Sequence, residues 1–248
     1  MNTDVRVAVV GGGIVGASVL YWLAKMGWGD AILLERRELT SGSTWHAAGN
    51  TTYFGPYPAM TRLFAGSIRT YLQAENDSGH SISFHQTGGL RLAATMRELE
   101  LFHLYKERYD ELDIPFYIRS PAETKQLNPL IDTSRIFGAA HTPTDGHVDP
   151  TGATNALAKA ARILGAQVER FRPVDALYQN KDHWVLETEK GNISAQHVVI
   201  AASFWARELM APLGLNLPLF ATQHHELITE DIPRIKEMDR NLPAMRDS

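Results

Sequence analysis

Apolar and polar positions at the start of the chain predict a strand, a helix and a second strand. Residues 5–10 are nearly all apolar, as in a strand buried on both faces of a parallel sheet. Apolar side chains then recur at helical spacing through residues 14–25, and Gly27 ends this predicted helix. A short apolar run over 31–34 stops at Glu35. The pattern predicts one right-handed βαβ unit.

The stretch from 51 to 141 has a different character. It predicts helices at 59–76 and 96–112, a strand at 83–93, and interruptions at Pro115 and Pro121. No second glycine-rich turn follows a strand there. We therefore interpret this stretch as an inserted module on the substrate side.

After residue 148 the pattern returns to helix and strand. Asp149 and Pro150 predict a helix start, as the N-cap and the first helical residue, and Gly165 predicts its end. A third parallel strand is expected at 167–171. The expected β-meander that follows has strands at 174–178, 183–189 and 194–201.

Composition narrows the class of protein. The chain has 248 residues and a net charge of −4, with scattered basic residues, so we expect no nucleic-acid partner. It has no cysteine, which excludes disulfides, thiolate metal ligands and thiol nucleophiles. No apolar run is long enough to span a bilayer, and no leader pattern is evident, so we expect a cytoplasmic protein with no membrane partner.

The motif between the first strand and helix predicts an adenine dinucleotide. In Gly11-x-Gly13-x-x-Gly16 the glycines allow a tight turn, close approach to a pyrophosphate and close packing of helix on strand. The helix start directs free N–H groups at the phosphates, and a carboxylate ending the next strand accepts hydrogen bonds from a ribose. The residues predicted to bind in this way are Gly11, Gly13, Ile14, Val15, Gly16 and Glu35.

The choice of dinucleotide depends on the residues after Glu35. Arg36 could indicate the 2′-phosphate of NADP, but the neighbouring carboxylate would repel that phosphate. The segment 41–50 is rich in small and hydroxyl residues, which allow close approach to a planar ring. By chemistry alone, His46 is more often a polar loop residue or a hydrogen-bonding ligand than a covalent anchor.

The segment 35–50 resembles the flavin-attachment segment of the dimethylglycine and sarcosine dehydrogenases. Further similar motifs lie at 84–92, 144–151, 198–202, 223–226 and 242–247. The resemblance implies FAD, bonded covalently through the His46 imidazole. It also implies cofactor contacts from Arg36, Gly42, Ser43, Thr44, Ala47, Ala48, Gly49, Asn50, Val174, Ala202 and Trp205. Ser203 stands where the family usually has glycine.

The resemblance also implies an architecture. The expected fold class is α/β: a Rossmann-like FAD-binding domain with a β-meander, plus an α+β substrate domain that is incomplete at the C-terminus. We expect the FAD-binding domain at 1–50 and 144–212 and the partial substrate domain at 51–143 and 213–248.

The implied activity is FAD-dependent oxidation of a small N-methylated amino acid, dimethylglycine or sarcosine. His224 and His225 are the candidate catalytic residues; neighbours on a strand face opposite sides, so we favour His224. The acceptor would be an electron-transfer flavoprotein or oxygen, and a longer protein could use tetrahydrofolate.

A non-catalytic protein is the alternative. The family includes a regulatory subunit of pyruvate dehydrogenase phosphatase, which keeps this architecture for interaction. Because the chain ends within the expected substrate module, an inactive fragment is a further alternative. Retention of His46 favours enzyme ancestry.

Two other groups of residues suggest a metal site and a hydrolase site, and we expect neither. Asp145, His147 and Asp149 resemble metal ligands, but a turn at Asp145 and the capping role of Asp149 oppose this, so we expect no metal. Ser43 and His46 could belong to a hydrolase, but the strand–Gly-x-Ser-x-Gly–helix elbow is missing.

Overall fold

A computed structural model of the chain describes residues 3–55, 57–222, 225 and 227–247. The strands are β1 (Asp4–Val10), β2 (Ala31–Leu34), β3 (Asn50–Thr51), β4 (Gly89–Ala93), β5 (Tyr117–Arg119), β6 (Gly138–Thr142), β7 (Gly146–His147), β8 (Gln167–Glu169), β9 (Ala176–Asn180), β10 (His183–Glu187), β11 (Ile193–Ile200) and β12 (Ala244–Arg246). The helices are α1 (Ile14–Lys25), α2 (Pro58–Ser78), α3 (Met96–Glu111), α4 (Pro121–Leu127), α5 (Pro150–Ile163), α6 (Ala206–Met210) and α7 (Pro233–Lys236).

The chain forms two compact units. The first contains Met1–Ala48, Thr70–Ser83 and Asp149–His224, and the second contains Gly49–Arg69, Phe84–Val148 and His225–Ser248. These units are defined by packing, whereas the expected domains were defined by function. The functional division therefore stays a prediction.

A six-stranded sheet organises the first unit, in the order β8-β2-β1-β11-β10-β9. The four strands β8, β2, β1 and β11 are parallel, and the meander β9-β10-β11 is antiparallel. Apolar side chains such as Val5, Val10, Ile32, Leu34 and Leu186 are buried together on this sheet. The predicted βαβ unit, third parallel strand and meander are confirmed.

Helix α5 packs with α1 in this unit. Its N-cap Asp149 accepts hydrogen bonds from the N–H groups of Thr151 and Gly152, at 3.0 and 2.9 Å. Pro150 is the first helical residue, and Gly165 has a φ of +100° just beyond the helix. The predicted start and end are confirmed, because each residue has the backbone or side chain that its position requires.

A four-stranded sheet organises the second unit, in the order β12-β4-β6-β5. One cluster on this unit joins α3 to the sheet through Phe102, Tyr109, Phe116 and Ala140. A separate two-stranded sheet pairs β3 with β7. Along the described residues, no helix is long and apolar enough to cross a membrane.

The predicted strand at 83–93 was wrong over its first half. Ser83 and Gly88 have φ values of +49° and +80°, which turn the backbone away from an extended conformation. Between them, His85 makes only an isolated bridge to His147. The regular strand is β4.

Pro121 begins a helix, so its interpretation as an interruption was wrong. The Ser120 hydroxyl accepts a hydrogen bond from the Glu123 N–H, and the Glu123 carboxylate accepts one from the Ser120 N–H. This capping box holds the first turn of α4, where proline needs no N–H partner.

Candidate functional site

A tight glycine turn lies where β1 meets α1. Gly11 has a φ of +115°, and its N–H donates to the Leu34 carbonyl at 2.9 Å. A Cβ on Gly11 would lie 2.4 Å from the Ala201 carbonyl oxygen. A Cβ on Gly16 would lie 1.9 Å from the Gly11 carbonyl oxygen, so α1 can approach the turn only if that residue is glycine.

The Glu35 carboxylate fastens this turn to the end of β2. Glu35 is buried, and its Oε2 accepts a hydrogen bond of 2.6 Å from the Gly12 N–H. Its Oε1 accepts one of 2.9 Å from the Arg37 N–H. The residue predicted to bind a ribose thus also shapes the wall on which a ribose would lie.

The segment after β2 folds back onto the glycine turn. The Thr40 N–H donates to the Gly12 carbonyl at 2.9 Å, and the Ile14 N–H donates to Thr44 Oγ1 at 3.1 Å. Thr44 therefore satisfies one of the free N–H groups at the start of α1. Hydrogen bonds from two sides hold the segment against the turn.

The opposite wall is formed by the turn after β11. Ser203 has a φ of +54°, in the left-handed region that favours glycine, and its Oγ lies 3.2 Å from Ser43 Oγ. The Arg36 guanidinium lies 4.1 Å from the centre of a Trp205 ring. A Cβ on Gly42 would lie 3.1 Å from the same indole, so the small residue allows Trp205 to pack close to the segment.

These elements enclose a cleft of about 620 Å³. Most of the residues predicted to bind the cofactor line it: Gly11, Gly13, Ile14, Val15, Glu35, Arg36, Gly42, Ser43, Thr44, Ala47, Val174, Ala202 and Trp205. The fold thus brings together three distant segments that were assigned to one site.

The other predicted cofactor residues are not in this lining. Gly16 packs closely against the Gly11 carbonyl, and Ala48 is exposed. Gly49 accepts a hydrogen bond at its carbonyl from the Val148 N–H, and Asn50 pairs with His147 in β3. Their contact with a cofactor stays a prediction.

His46 is exposed at the end of a short 3₁₀ helix, Ser43–His46. Its ring lies against Trp45, with ring centroids 3.9 Å apart and planes inclined by 35°. Ser43 and Thr44, in the same helix, line the cleft. The imidazole is accessible to a reagent, and the indole limits its orientation.

Sequence reasoning missed further residues of the lining. They are Val10, Gly12, Leu34, Pro173, Asp175, Glu208 and Leu209. Most of them are next to a predicted residue in the sequence, and this adjacency could have identified them. Glu208 and Leu209 carry no such signal, because they reach the cleft through the turn into α6.

The predicted catalytic pair is only partly within the described chain. His224 lies outside the described residues, and His225 is exposed. Among the residues that the structure describes, no group of three or more His, Asp or Glu side chains is arranged to hold a metal ion. Asp145 and Asp149 are each hydrogen-bonded within the protein.

The residues of the cleft fit an adenine dinucleotide. The start of α1 offers backbone N–H groups and the positive end of the helix dipole, and Arg36 adds a cation, as a pyrophosphate requires. Ser41, Ser43 and Thr44 add hydroxyl groups, and Glu35 adds an acceptor for sugar hydroxyls. The volume lies in the range of cofactor sites, roughly 300–1,000 Å³.

Comparison with known proteins gives the same class. The family model for FAD dependent oxidoreductases matches residues 6–247, so the chain belongs to this family. It is 41% identical over 240 residues to the rat mitochondrial dimethylglycine dehydrogenase, covering 96% of the chain. It is 35% identical over 254 residues to the human mitochondrial sarcosine dehydrogenase, covering 100% of the chain.

The chain spans 28% of the rat relative and 27% of the human one. Among solved structures, L-proline dehydrogenase from P. horikoshii matches with a TM-score of 0.78 and 30% identity. The match covers 87% of this chain and 57% of that one. The predicted FAD-binding α/β fold is confirmed.

Proposed function

We propose that this chain forms the FAD-binding part of an enzyme that oxidises a small N-methylated amino acid, dimethylglycine or sarcosine. One observation carries the proposal: the glycine turn, Glu35 and the hydroxyl-rich segment converge on a single cleft. The names of the two similar dehydrogenases support this substrate class.

The cleft residues would hold FAD by distinct interactions. The N-terminus of α1 and Arg36 would bind the pyrophosphate, Glu35 the adenosine ribose, and the Val174 backbone the adenine. Bound FAD supplies the electron acceptor for oxidation of an N-methyl carbon. The protein supplies orientation, through the hydrogen bonds that fix the turn and the segment 40–47.

His46 would be the covalent attachment point. Its exposure and its place in the same short helix as Ser43 and Thr44 support this role. The Trp45 ring restricts the imidazole, which lowers the entropy lost when the ring is fixed. A covalent bond would prevent loss of the cofactor.

The residues that contact the substrate, and the electron acceptor, are proposed in less detail than the FAD contacts. His224 or His225 would bind the substrate carboxylate or accept the amine proton, since an imidazole ring offers both a hydrogen-bond donor and an acceptor. The electron acceptor would be an electron-transfer flavoprotein or oxygen, and a longer protein could pass the one-carbon unit to tetrahydrofolate.

The proposal is tested by loading the purified chain with FAD and recording the visible spectrum under anaerobic conditions. Dimethylglycine or sarcosine should bleach the flavin band, whereas glycine betaine, which has no amine lone pair, should leave it unchanged. Bound FAD that neither amino acid bleaches would favour the non-catalytic alternative. A chain that binds no FAD would overturn the proposal.

A further inference from the structure

The hydroxyl groups of Ser43 and Ser203 meet in the cleft of the first unit. Both residues line the cleft, and their Oγ atoms lie 3.2 Å apart, within hydrogen-bond distance. The two residues are 160 positions apart in the sequence, so only the fold brings them together. Ser43 belongs to the segment that is held against the glycine turn, and Ser203 belongs to the turn after β11.

Ser203 has a backbone conformation that costs a serine free energy. Its φ of +54° lies in the left-handed region, where the Cβ of an L-residue crowds the backbone and glycine is favoured. Glycine would remove the strain, but it would also remove the side chain. Strained residues cluster at binding sites, where the group that they present has a use. The conformation therefore indicates a role for the Ser203 hydroxyl.

The turn that carries Ser203 lies directly beside the dinucleotide motif. A Cβ on Gly11 would lie too close to the Ala201 carbonyl oxygen to fit, so the two turns are in close contact. On the other side, Thr44 Oγ1 accepts a hydrogen bond of 3.1 Å from the Ile14 N–H at the start of α1. Contacts on both sides therefore fix the paired hydroxyls next to the place where a pyrophosphate would bind.

The paired hydroxyls suit a polyol better than a phosphate. Each serine hydroxyl has one O–H donor and two acceptor lone pairs. The bond between them uses the O–H of one and a lone pair of the other, so the pair keeps more acceptors than donors. Phosphate oxygens are acceptors, whereas the hydroxyl groups of a polyol also donate. Glu208 lines the same cleft and adds negative charge, which disfavours a phosphate further.

We propose that Ser203, together with Ser43, binds the ribityl hydroxyls of FAD. The inference deepens the proposed function and rests on it in one respect, the identity of the cofactor. The pyrophosphate has its own partners in Arg36 and the start of α1, which leaves the serine pair for the polyol that joins the pyrophosphate to the flavin ring. Ser203 would then favour a flavin dinucleotide over adenine nucleotides.

The test compares FAD with ADP, which shares the adenosine and pyrophosphate of FAD but has no ribityl chain. Binding of each is measured by calorimetry on the full chain, with His46→Ala present throughout so that FAD binding stays reversible. Ser203→Gly should weaken FAD binding about 3- to 10-fold, as expected for a lost neutral hydrogen bond, and leave ADP binding unchanged. The unchanged ADP affinity also shows that the variant is folded.

Two further variants separate the hydroxyl from the backbone. Ser43→Ala should have a similar effect, and the double variant should lose less than the two single effects combined, because the hydroxyls act as a pair. Lys181→Gly is the matched control for strain, since Lys181 has a φ of +53° in the turn between β9 and β10. It removes strain of the same kind and should change neither affinity.

Two results would overturn the inference. One is a Ser203→Gly variant whose FAD affinity is unchanged. The other is an equal loss of affinity for FAD and ADP, because the serine pair would then contact the part that the two ligands share.

The outcomes also separate this inference from the proposed function. FAD that binds equally well with and without the Ser203 hydroxyl, and that dimethylglycine bleaches in the wild type, supports the function and overturns the polyol contact. Hydroxyl-dependent binding of FAD that no substrate bleaches supports the contact and overturns the proposed oxidation. A chain that binds neither nucleotide overturns both.

Discussion

The Gly12 N–H donates a hydrogen bond of 2.6 Å to Oε2 of Glu35, so the side chain that ends β2 holds the turn that follows β1. The second oxygen of this carboxylate accepts from the Arg37 N–H at 2.9 Å. A residue that sequence reasoning assigned to ligand binding therefore also has a structural role. Its removal should affect stability as well as cofactor affinity.

Glu35→Ala should lower the free energy of unfolding by about 2 kcal/mol, because it leaves two backbone N–H groups without their acceptor. Urea denaturation measures the change. Glu38→Ala is the matched control, since Glu38 makes an exposed ion pair with Arg170 that is worth less than about 1 kcal/mol. Equal losses in the two variants would contradict the buried role of Glu35.

Arg172→Ala should lower the free energy of unfolding by about 3 kcal/mol. The buried guanidinium donates, among other contacts, from Nε to Thr188 Oγ1 at 3.1 Å and from Nη2 to the Gly191 carbonyl at 2.9 Å, so truncation removes these contacts and leaves a cavity. Thermal and urea denaturation report the loss. The neighbouring Arg170→Ala should cost less than about 1 kcal/mol, and a similar effect at both positions would rule out this explanation.

Ser203→Gly should be more stable than Ser203→Ala by about 0.5–1 kcal/mol. Both variants lose the hydroxyl that lies 3.2 Å from Ser43 Oγ, but only alanine keeps a Cβ at a φ of +54°. The difference between the two variants isolates the backbone conformation. Equal melting temperatures would show that Ser203 is not strained.

Asp145→Asn should change how stability depends on pH. Burial raises the pKa of Asp145 from 3.8 to about 6, so the protonated form is the one that the fold favours. Its contribution to stability is complete below about pH 4 and is lost as the pH rises through 6. A shift of this size corresponds to about 3 kcal/mol.

The measurement is the difference in unfolding free energy between Asp145→Asn and the wild type, determined from pH 4 to pH 7. The difference should move in favour of the variant as the pH rises, since asparagine has no charge to bury. A difference that is constant, or that moves the other way, would contradict the assignment.

The first unit was predictable because its signals are local. Residues 5–10 and 31–34 are continuous apolar runs, and Asp149-Pro150 carries its own capping chemistry. The second unit was less predictable. β6 consists largely of small residues with weak strand propensity and forms by pairing with β4 and β5, which lie far away in sequence.

The candidate site also combines features that the local sequence predicts with features that depend on tertiary packing. The glycine turn and Glu35 follow from spacing, whereas the packing of Arg36 on Trp205 depends on how segments distant in sequence pack together. Ser120 and Glu123 carry the signature of the α4 capping box, but Pro121 between them also fits a break in regular structure. Such contacts appear only once distant segments are placed together.

The proposed binding of FAD in the cleft, with a covalent bond to His46, can be tested directly. The most direct measurement is the intact mass and absorbance of the FAD-treated chain after acid denaturation, alongside His46→Ala, with His183→Ala at another exposed position as the control. We expect about one FAD mass retained in the wild type and in His183→Ala, and none in His46→Ala. A wild-type chain at the mass of the apoprotein, or an adduct that survives in His46→Ala, would contradict attachment at His46.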